Sequence, residues 1–152
     1  RKANLHRTNL RSSNLEEAFL QEANIQGAFL NKANLQAANL KQADLQGADL
    51  NESNLQKANF TEAKLQWADL NDANLLGTIL ARANLDGARL THAENLSIKQ
   101  FKVACQSGCT PGHGEKYHWP YWSKETKWPS GFRPVMDAAG LPLERLKPEE
   151  KE

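Results

Sequence analysis

Leucine returns at every fifth position from Leu5 to Leu90, with Ile25 and Phe60 as substitutions that keep the position apolar. Two residues before each stands a small side chain, Ala from Ala3 to Ala93 except at Thr8, Ser13, Ser53 and Thr78. Asn or Asp usually separates the two, and two unconstrained positions follow the leucine. A period of five fits neither the 3.6 of an α-helix nor the 2.0 of a strand, and on an α-helix these leucines would be spread around the whole circumference. A chain that turns a corner once per unit keeps the large and the small residue inside together. Coils of such a chain stack into a solenoid, each burying its interior against the next.

The run of A(N/D)Lxx units, eighteen in register without an insertion, resembles the pentapeptide repeat proteins over residues 3 to about 94. That resemblance implies an all-β solenoid, a right-handed quadrilateral parallel β-helix with four units per coil. The inward column is then Leu5, Leu10, Leu15, Leu20, Ile25, Leu30, Leu35, Leu40, Leu45, Leu50, Leu55, Phe60, Leu65, Leu70, Leu75, Leu80, Leu85 and Leu90. Thr8, Ser13, Ser53 and Thr78 read as inward hydroxyls bonded to neighbouring backbone carbonyls.

Four units per coil require a weaker repeat of twenty in the unconstrained positions, and the sequence has one. Gln26, Gln46 and Gln66 recur at that spacing, as do Asn31, Asn51 and Asn71, and Gly27, Gly47 and Gly87, with Trp67 as the exception in the glycine series. Stacked at the strand spacing of about 4.8 Å, identical amides can bond up a face as ladders. Four and a half coils then make a rod roughly 22 Å tall at that spacing. Burying each leucine stabilises by roughly 1.5–3 kcal/mol before chain entropy is counted, so the inward column is the main source of stability.

The frame slips at Asn95, where leucine is expected, and Leu96 comes one residue late. Ser97 and Gln100 have the spacing of a capping box, with Leu96 placed to staple onto Phe101, so a short helix from about Ile98 to Gln106, closed by Gly108, is expected to plug the last coil. The remainder is rich in proline and tryptophan. It resembles the tails of cyanobacterial pentapeptide repeat proteins at Thr126, Trp128, Pro129, Gly131, Phe132, Pro134 and Gly140. The expected organisation is a β-helix over 1–94, a C-terminal α-helical cap over 95–110, and an irregular tail over 111–152 packed on the last coils. Trp67, Leu76 and Ile79, apolar where polar residues are routine, are the expected seat for Tyr117, Trp119, Tyr121, Trp122 or Trp128. Phe19 and Phe29 lie two units apart, hence on opposite faces of a four-sided coil, and cannot form one patch.

Candidate chemistry is sparse. Cys105, Cys109, His113 and His118 form the one cluster with metal-binding residue types, but the spacing C-x3-C-x3-H-x4-H is not a familiar finger. Cys105 and Cys109 are a disulfide candidate, which needs a departure from helix and an oxidising compartment; two free thiols are the alternative. No nucleophile with a neighbouring base, no phosphate-cradling glycine loop and no acidic pair outside the repeat is found, so the chain reads as non-enzymatic, without a cofactor or a metal. Asp44, Asp49, Asp69 and Asp72 sit in the repeat and read as solvated surface.

Charge separates the two functional classes that remain. The resemblance implies either a scaffold that presents flat polar faces to another protein, or a mimic of duplex DNA, since some family members protect DNA gyrase by imitating a duplex. The whole chain carries 19 basic and 18 acidic side chains, a net +1. Residues 1–94 hold ten basic and eleven acidic ones, a net −1 (10 − 11). A surrogate for a polymer bearing one charge per about 1.7 Å of axis needs far more negative charge. The expected partner is therefore a protein and not nucleic acid, with no membrane span, and the chain is expected to be a monomer or a weak homodimer. The chain opens with Arg1 inside the repeat and without an initiator Met, which leaves room for a removed upstream segment. The first coil then has an open end to be covered by such residues or by another chain. Relatives occur in the cytosol and, behind an export signal, in the thylakoid lumen or periplasm, so compartment stays open.

Overall fold

A computed structural model describes residues 2–95. The capping residues Ser97, Gln100 and Phe101, the pair Cys105 and Cys109, and the tail expected over 111–152 lie outside them. Within the described residues the chain forms a four-sided β-solenoid. Isolated parallel bridges join each residue before a leucine to the residue twenty positions on, from Asn4↔Asn24 to Asn74↔Glu94. The backbone bonds alternate across each bridge. The Leu5 N–H donates to the Asn24 carbonyl at 2.7 Å, and the Asn24 N–H donates back to the Ala3 carbonyl at 2.9 Å. The same two-way pattern repeats up the rod, so main-chain polar groups are paired between coils rather than within one strand.

Every corner is a hydrogen-bonded turn. The residue three after each leucine donates back to it, as Thr8 N–H does to the Leu5 carbonyl at 3.1 Å and Ala48 N–H to the Leu45 carbonyl at 3.0 Å. The second of the two residues after each leucine has φ between +52° and +68° at every corner from Arg7 to His92. A positive φ at the third residue of a four-residue turn is the type II geometry. The position that looks unconstrained in sequence is thus held in the left-handed region. Glycine takes it at four corners, Gly27, Gly47, Gly77 and Gly87, and the other corners carry it on side chains such as Lys32, Ala37 and Glu52. No Val, Ile or Thr stands there, because a β-branched side chain is least tolerant of this conformation.

The repeated Asn or Asp has its cause in the same corner. From Asn4 to Asn84, each Asn or Asp before a leucine accepts, through its side-chain oxygen, the N–H of the residue two positions on, at 3.0–3.3 Å. This Asx turn braces the entry to the corner with a bond that a larger apolar residue cannot make. The interior is the apolar column itself. Ile25 and the leucines from Leu30 to Leu90, with Phe60 among them, are essentially sealed from solvent, as are the alanines beside them. Leu5, Leu10 and Leu15 in the first coil are half-buried. Three of the four inward hydroxyls bond to carbonyls: Ser13 Oγ to Leu10 at 2.7 Å, Ser53 Oγ to Leu50 at 2.6 Å and Thr78 Oγ1 to Leu55 at 2.8 Å.

Candidate interaction surface

Function has to be sought on the outside of this rod, because its interior is filled by side chains. We number the sides by their bridging rows: face 1 holds residues 4–6, 24–26, 44–46, 64–66 and 84–86; face 2 starts at 9, face 3 at 14 and face 4 at 19, each repeating every twenty. Residues one coil apart on a face are neighbours, so each outward position forms a vertical column.

The charged columns neutralise themselves. Among the described residues the ion pairs are Lys2–Glu22, Lys32–Glu52 (3.4 Å), Lys64–Asp44 (3.1 Å), Arg82–Glu62 (3.6 Å) and Arg89–Asp69 (3.0 Å). All join residues twenty apart, hence adjacent coils of one column. Pairs this exposed contribute only ~0.2–1 kcal/mol each, so their larger consequence is the cancelled surface potential. They lie on faces 1 and 2 and on the corners before face 1 and before face 3. Faces 3 and 4 carry none among the described residues. Their outward positions in coils two to four are mostly amide or apolar: Asn34, Gln36, Asn39, Asn54, Gln56, Asn59, Asn74, Leu76 and Ile79, with Lys41 and Lys57 as the charges.

Asp44 is less solvated than its place in the repeat suggests, with its side chain only 19% exposed. Its Oδ2 accepts from Gln26 Nε2 at 2.9 Å, Lys64 Nζ at 3.1 Å and Gln46 Nε2 at 3.3 Å, while Oδ1 accepts the Gln46 backbone N–H. Burial by itself pushes the carboxyl pKa up. The bonds from Gln26, Lys64 and the Gln46 backbone, with the Lys64 charge, outweigh it, and the pKa is held below the ordinary 3.8. Beside it runs an open groove of about 570 Å³, walled by Glu22, Gln42 and Glu62 on one side and Asn24, Asp44 and Lys64 on the other. Gln42 Nε2 donates to Glu62 Oε2 across coils at 2.7 Å.

The amide ladders differ from the sequence expectation. Gln26 and Gln46 do not bond to each other, since both reach the Asp44 carboxylate, a stronger acceptor than an amide. Gln66 Oε1 and Asn31 Oδ1 are buried without a partner among the described residues. Asn51 Nδ2 donates to the Asn71 backbone carbonyl and Asn71 Oδ1 accepts the Thr91 N–H, so that column bonds to main chain. The amide-to-amide ladder stands instead on face 3, where Asn34 Nδ2 donates to Asn14 Oδ1 at 3.2 Å and Asn54 Nδ2 to Asn34 Oδ1 at 3.1 Å. These asparagines are already fixed by their Asx turns, which holds the amides in register. The signal was present in the sequence as Asn14, Asn34, Asn54 and Asn74, twenty apart.

The exposed apolar residues divide between sides. Phe29 on face 2 carries the Arg11 guanidinium 4.2 Å above its ring. Phe19 stands alone at the first coil of face 4, and it and Phe29 are on opposite faces as their spacing requires. Trp67, at the corner between faces 1 and 2, lies over Gly87 of the next coil. Leu76 and Ile79 occupy the opposite corner, between faces 3 and 4. The three residues expected to make one seat therefore make two separate features.

No grouping of His, Cys, Asp and Glu able to hold a metal ion occurs among the described residues, and no helix there is long and apolar enough to cross a membrane. Among solved structures, the pentapeptide repeat protein Rfr23 from the cyanobacterium Cyanothece 51142 is 28% identical, aligns over 84% of this chain and 61% of its own, and has a TM-score of 0.54. HetL, a pentapeptide repeat protein involved in heterocyst differentiation regulation from Nostoc sp. strain PCC 7120, is 36% identical over 61% of this chain and 46% of its own, with a TM-score of 0.49. A further pentapeptide repeat protein of Nostoc PCC 7120 is 24% identical over 95% of this chain and 99% of its own, with a TM-score of 0.49. The chain thus spans less than two thirds of the length of the Rfr23 and HetL chains. No curated protein matches it. The profile for pentapeptide repeats matches residues 3–42, 38–77 and 58–94 in eight copies, the same stretch whose bridges repeat every twenty residues, and the chain belongs to the pentapeptide repeat family.

Proposed function

We propose that this protein is a non-enzymatic scaffold that binds another protein through faces 3 and 4. The observation that carries this reading is the division of charge: none of the described ion pairs lies on face 3 or face 4, whose outward positions in coils two to four are amide-rich with Lys41 and Lys57 as the charges. Depletion of charge at the centre of a contact is the compositional mark of protein interfaces, and a rod of stacked coils provides the flatness. The coil is taken as right-handed, as in the family. The segment over 95–110 is assigned to capping the last coil, and the chain to a monomer or a weak homodimer.

The test is capture from the source cell with the intact protein and with a variant carrying Gln36→Arg, Gln56→Arg and Asn59→Arg, which charges faces 3 and 4 and leaves the interior alone. A saturable partner held by the native protein and lost with the variant is the expected result. Equal capture by both, or nothing enriched by either, overturns the reading. The DNA-mimic alternative has no comparable support, because the repeat region is near neutral and its charges are paired within columns. It requires inhibition of gyrase supercoiling at micromolar protein, where no effect is expected.

A further inference from the structure

We infer that the aromatic segment 117–132 of this chain folds back onto the last coil and seats on Leu76 and Ile79, at the corner of faces 3 and 4. The columns that lead to these two residues are polar in the two coils directly below them, although Phe19 opens the Ile79 column in the first coil. Leu76 stands above Gln36 and Gln56, and Ile79 above Asn39 and Asn59. Above Phe19 of the first coil, these columns turn apolar in the fourth coil, where Leu76 is 51% and Ile79 42% exposed with Gly77 between them. A structural role inside the rod cannot account for it, since the inward positions of that coil are filled by Leu75, Thr78 and Leu80, all buried.

The described chain ends beside this corner. Asn95 Nδ2 donates to Asn74 Oδ1 at 3.0 Å, which sets the exit point on face 3, two residues along the coil from Leu76. After Asn95 come 57 residues (152 − 95), with Tyr117, Trp119, Tyr121, Trp122, Trp128 and Phe132 gathered in one stretch. The twenty or so residues between exit and stretch reach several tens of ångströms at about 3.3 Å each, so distance does not prevent the return. Chemistry selects the aromatic part of the chain after Asn95 for the corner: indole and phenol rings bury their apolar bodies on Leu76 and Ile79 and keep their N–H and O–H groups toward water. Trp67 takes no part, being on the opposite corner against Gly87.

Hydrogen exchange on the full chain tests this. The informative variant is Leu76→Gln with Ile79→Asn, which continues the polar columns already present below and so is compatible with the coil. Peptides from 117–132 are expected to exchange at least tenfold slower than their intrinsic rates in the native protein. They return to those rates in the variant, with repeat peptides unchanged. Phe19→Lys, at the other end of face 4, leaves the protection intact. Exchange of 117–132 at intrinsic rates in the native protein overturns the proposal, as does equal protection in the native protein and the Gln/Asn variant. Protection that grows with protein concentration together with a dimer mass assigns the corner to a second copy and overturns it equally.

Discussion

The Trp67 ring lies flat against the Cα of Gly87, so that a Cβ built on Gly87 falls 2.3 Å from Trp67 Cε3. The two residues are one coil apart in the same corner column, and the small one makes room for the large one. Gly47 in that column has nothing within 4 Å of such a Cβ. Both glycines have φ in the left-handed region, +64° and +67°, so both substitutions to Ala carry the backbone penalty of roughly 1 kcal/mol. Gly87→Ala must in addition displace the indole. In urea denaturation Gly87→Ala is expected to lose at least twice the stability that Gly47→Ala loses. In a Trp67→Ala background the excess disappears. Equal losses in the native background disprove the packing relation.

Corner strain gives a prediction at a site with no contacts to lose. Ala37 is exposed with φ +55°, and its neighbour Gln36 is the second residue of the same turn. Ala37→Val forces a β-branched side chain into the left-handed region and is expected to destabilise by about 1–2 kcal/mol. Gln36→Val, one residue earlier, is expected to change stability by less than about 0.5 kcal/mol, as surface substitutions usually do. Chemical denaturation midpoints of the two variants decide it, and a reversed order refutes the turn assignment.

Burial along the inward column is graded, which makes the core argument quantitative. Leu45 is fully sealed while Leu5, in the first coil, is half-buried. Leu45→Ala is expected to cost about 2–5 kcal/mol, and Leu5→Ala less than half of that. Leu45→Asp places an unpaired charge in the stack and is expected to abolish folding. Circular dichroism melts of the three variants give the comparison.

Leu45 and Leu50 announced the fold because their spacing is a property of the inward column, where a single substitution is severely penalised. The corner conformation was hidden for the opposite reason. Arg7, Lys32 and Glu52 tolerate a positive φ at modest cost, so the sequence of that position varies freely and only Gly27, Gly47 and Gly87 hint at it. The Asx turns fall between these cases: the alternation of Asn and Asp is plain in the sequence, but the amide they brace is seen only once the corner is folded. The surface was read least well. Gln26 and Gln46 are long enough to choose among acceptors, and the carboxylate of Asp44 takes both. Repetition at twenty residues revealed who the neighbours are, not which bonds they make.

The carboxylate that gathers those amides gives the repeat region a defined response to acid. Asp44 is partly buried, which alone raises its pKa, but donors from Gln26, Lys64 and the Gln46 backbone lower it below 3.8 in the folded protein. A group whose folded pKa is depressed contributes stability above its unfolded value, and that contribution is lost as pH falls through the folded pKa. Asp44→Asn keeps an acceptor for Gln26 but removes the charge opposite Lys64, 3.1 Å away. The variant is therefore expected to be less stable than the native protein at pH 7, with the difference shrinking once the pH drops below 3.8 and Asp44 becomes protonated. Melting temperatures of both proteins between neutral and acid pH measure it. A gap independent of pH, or one that widens in acid, contradicts the assignment of charged Asp44 as the centre of this cluster.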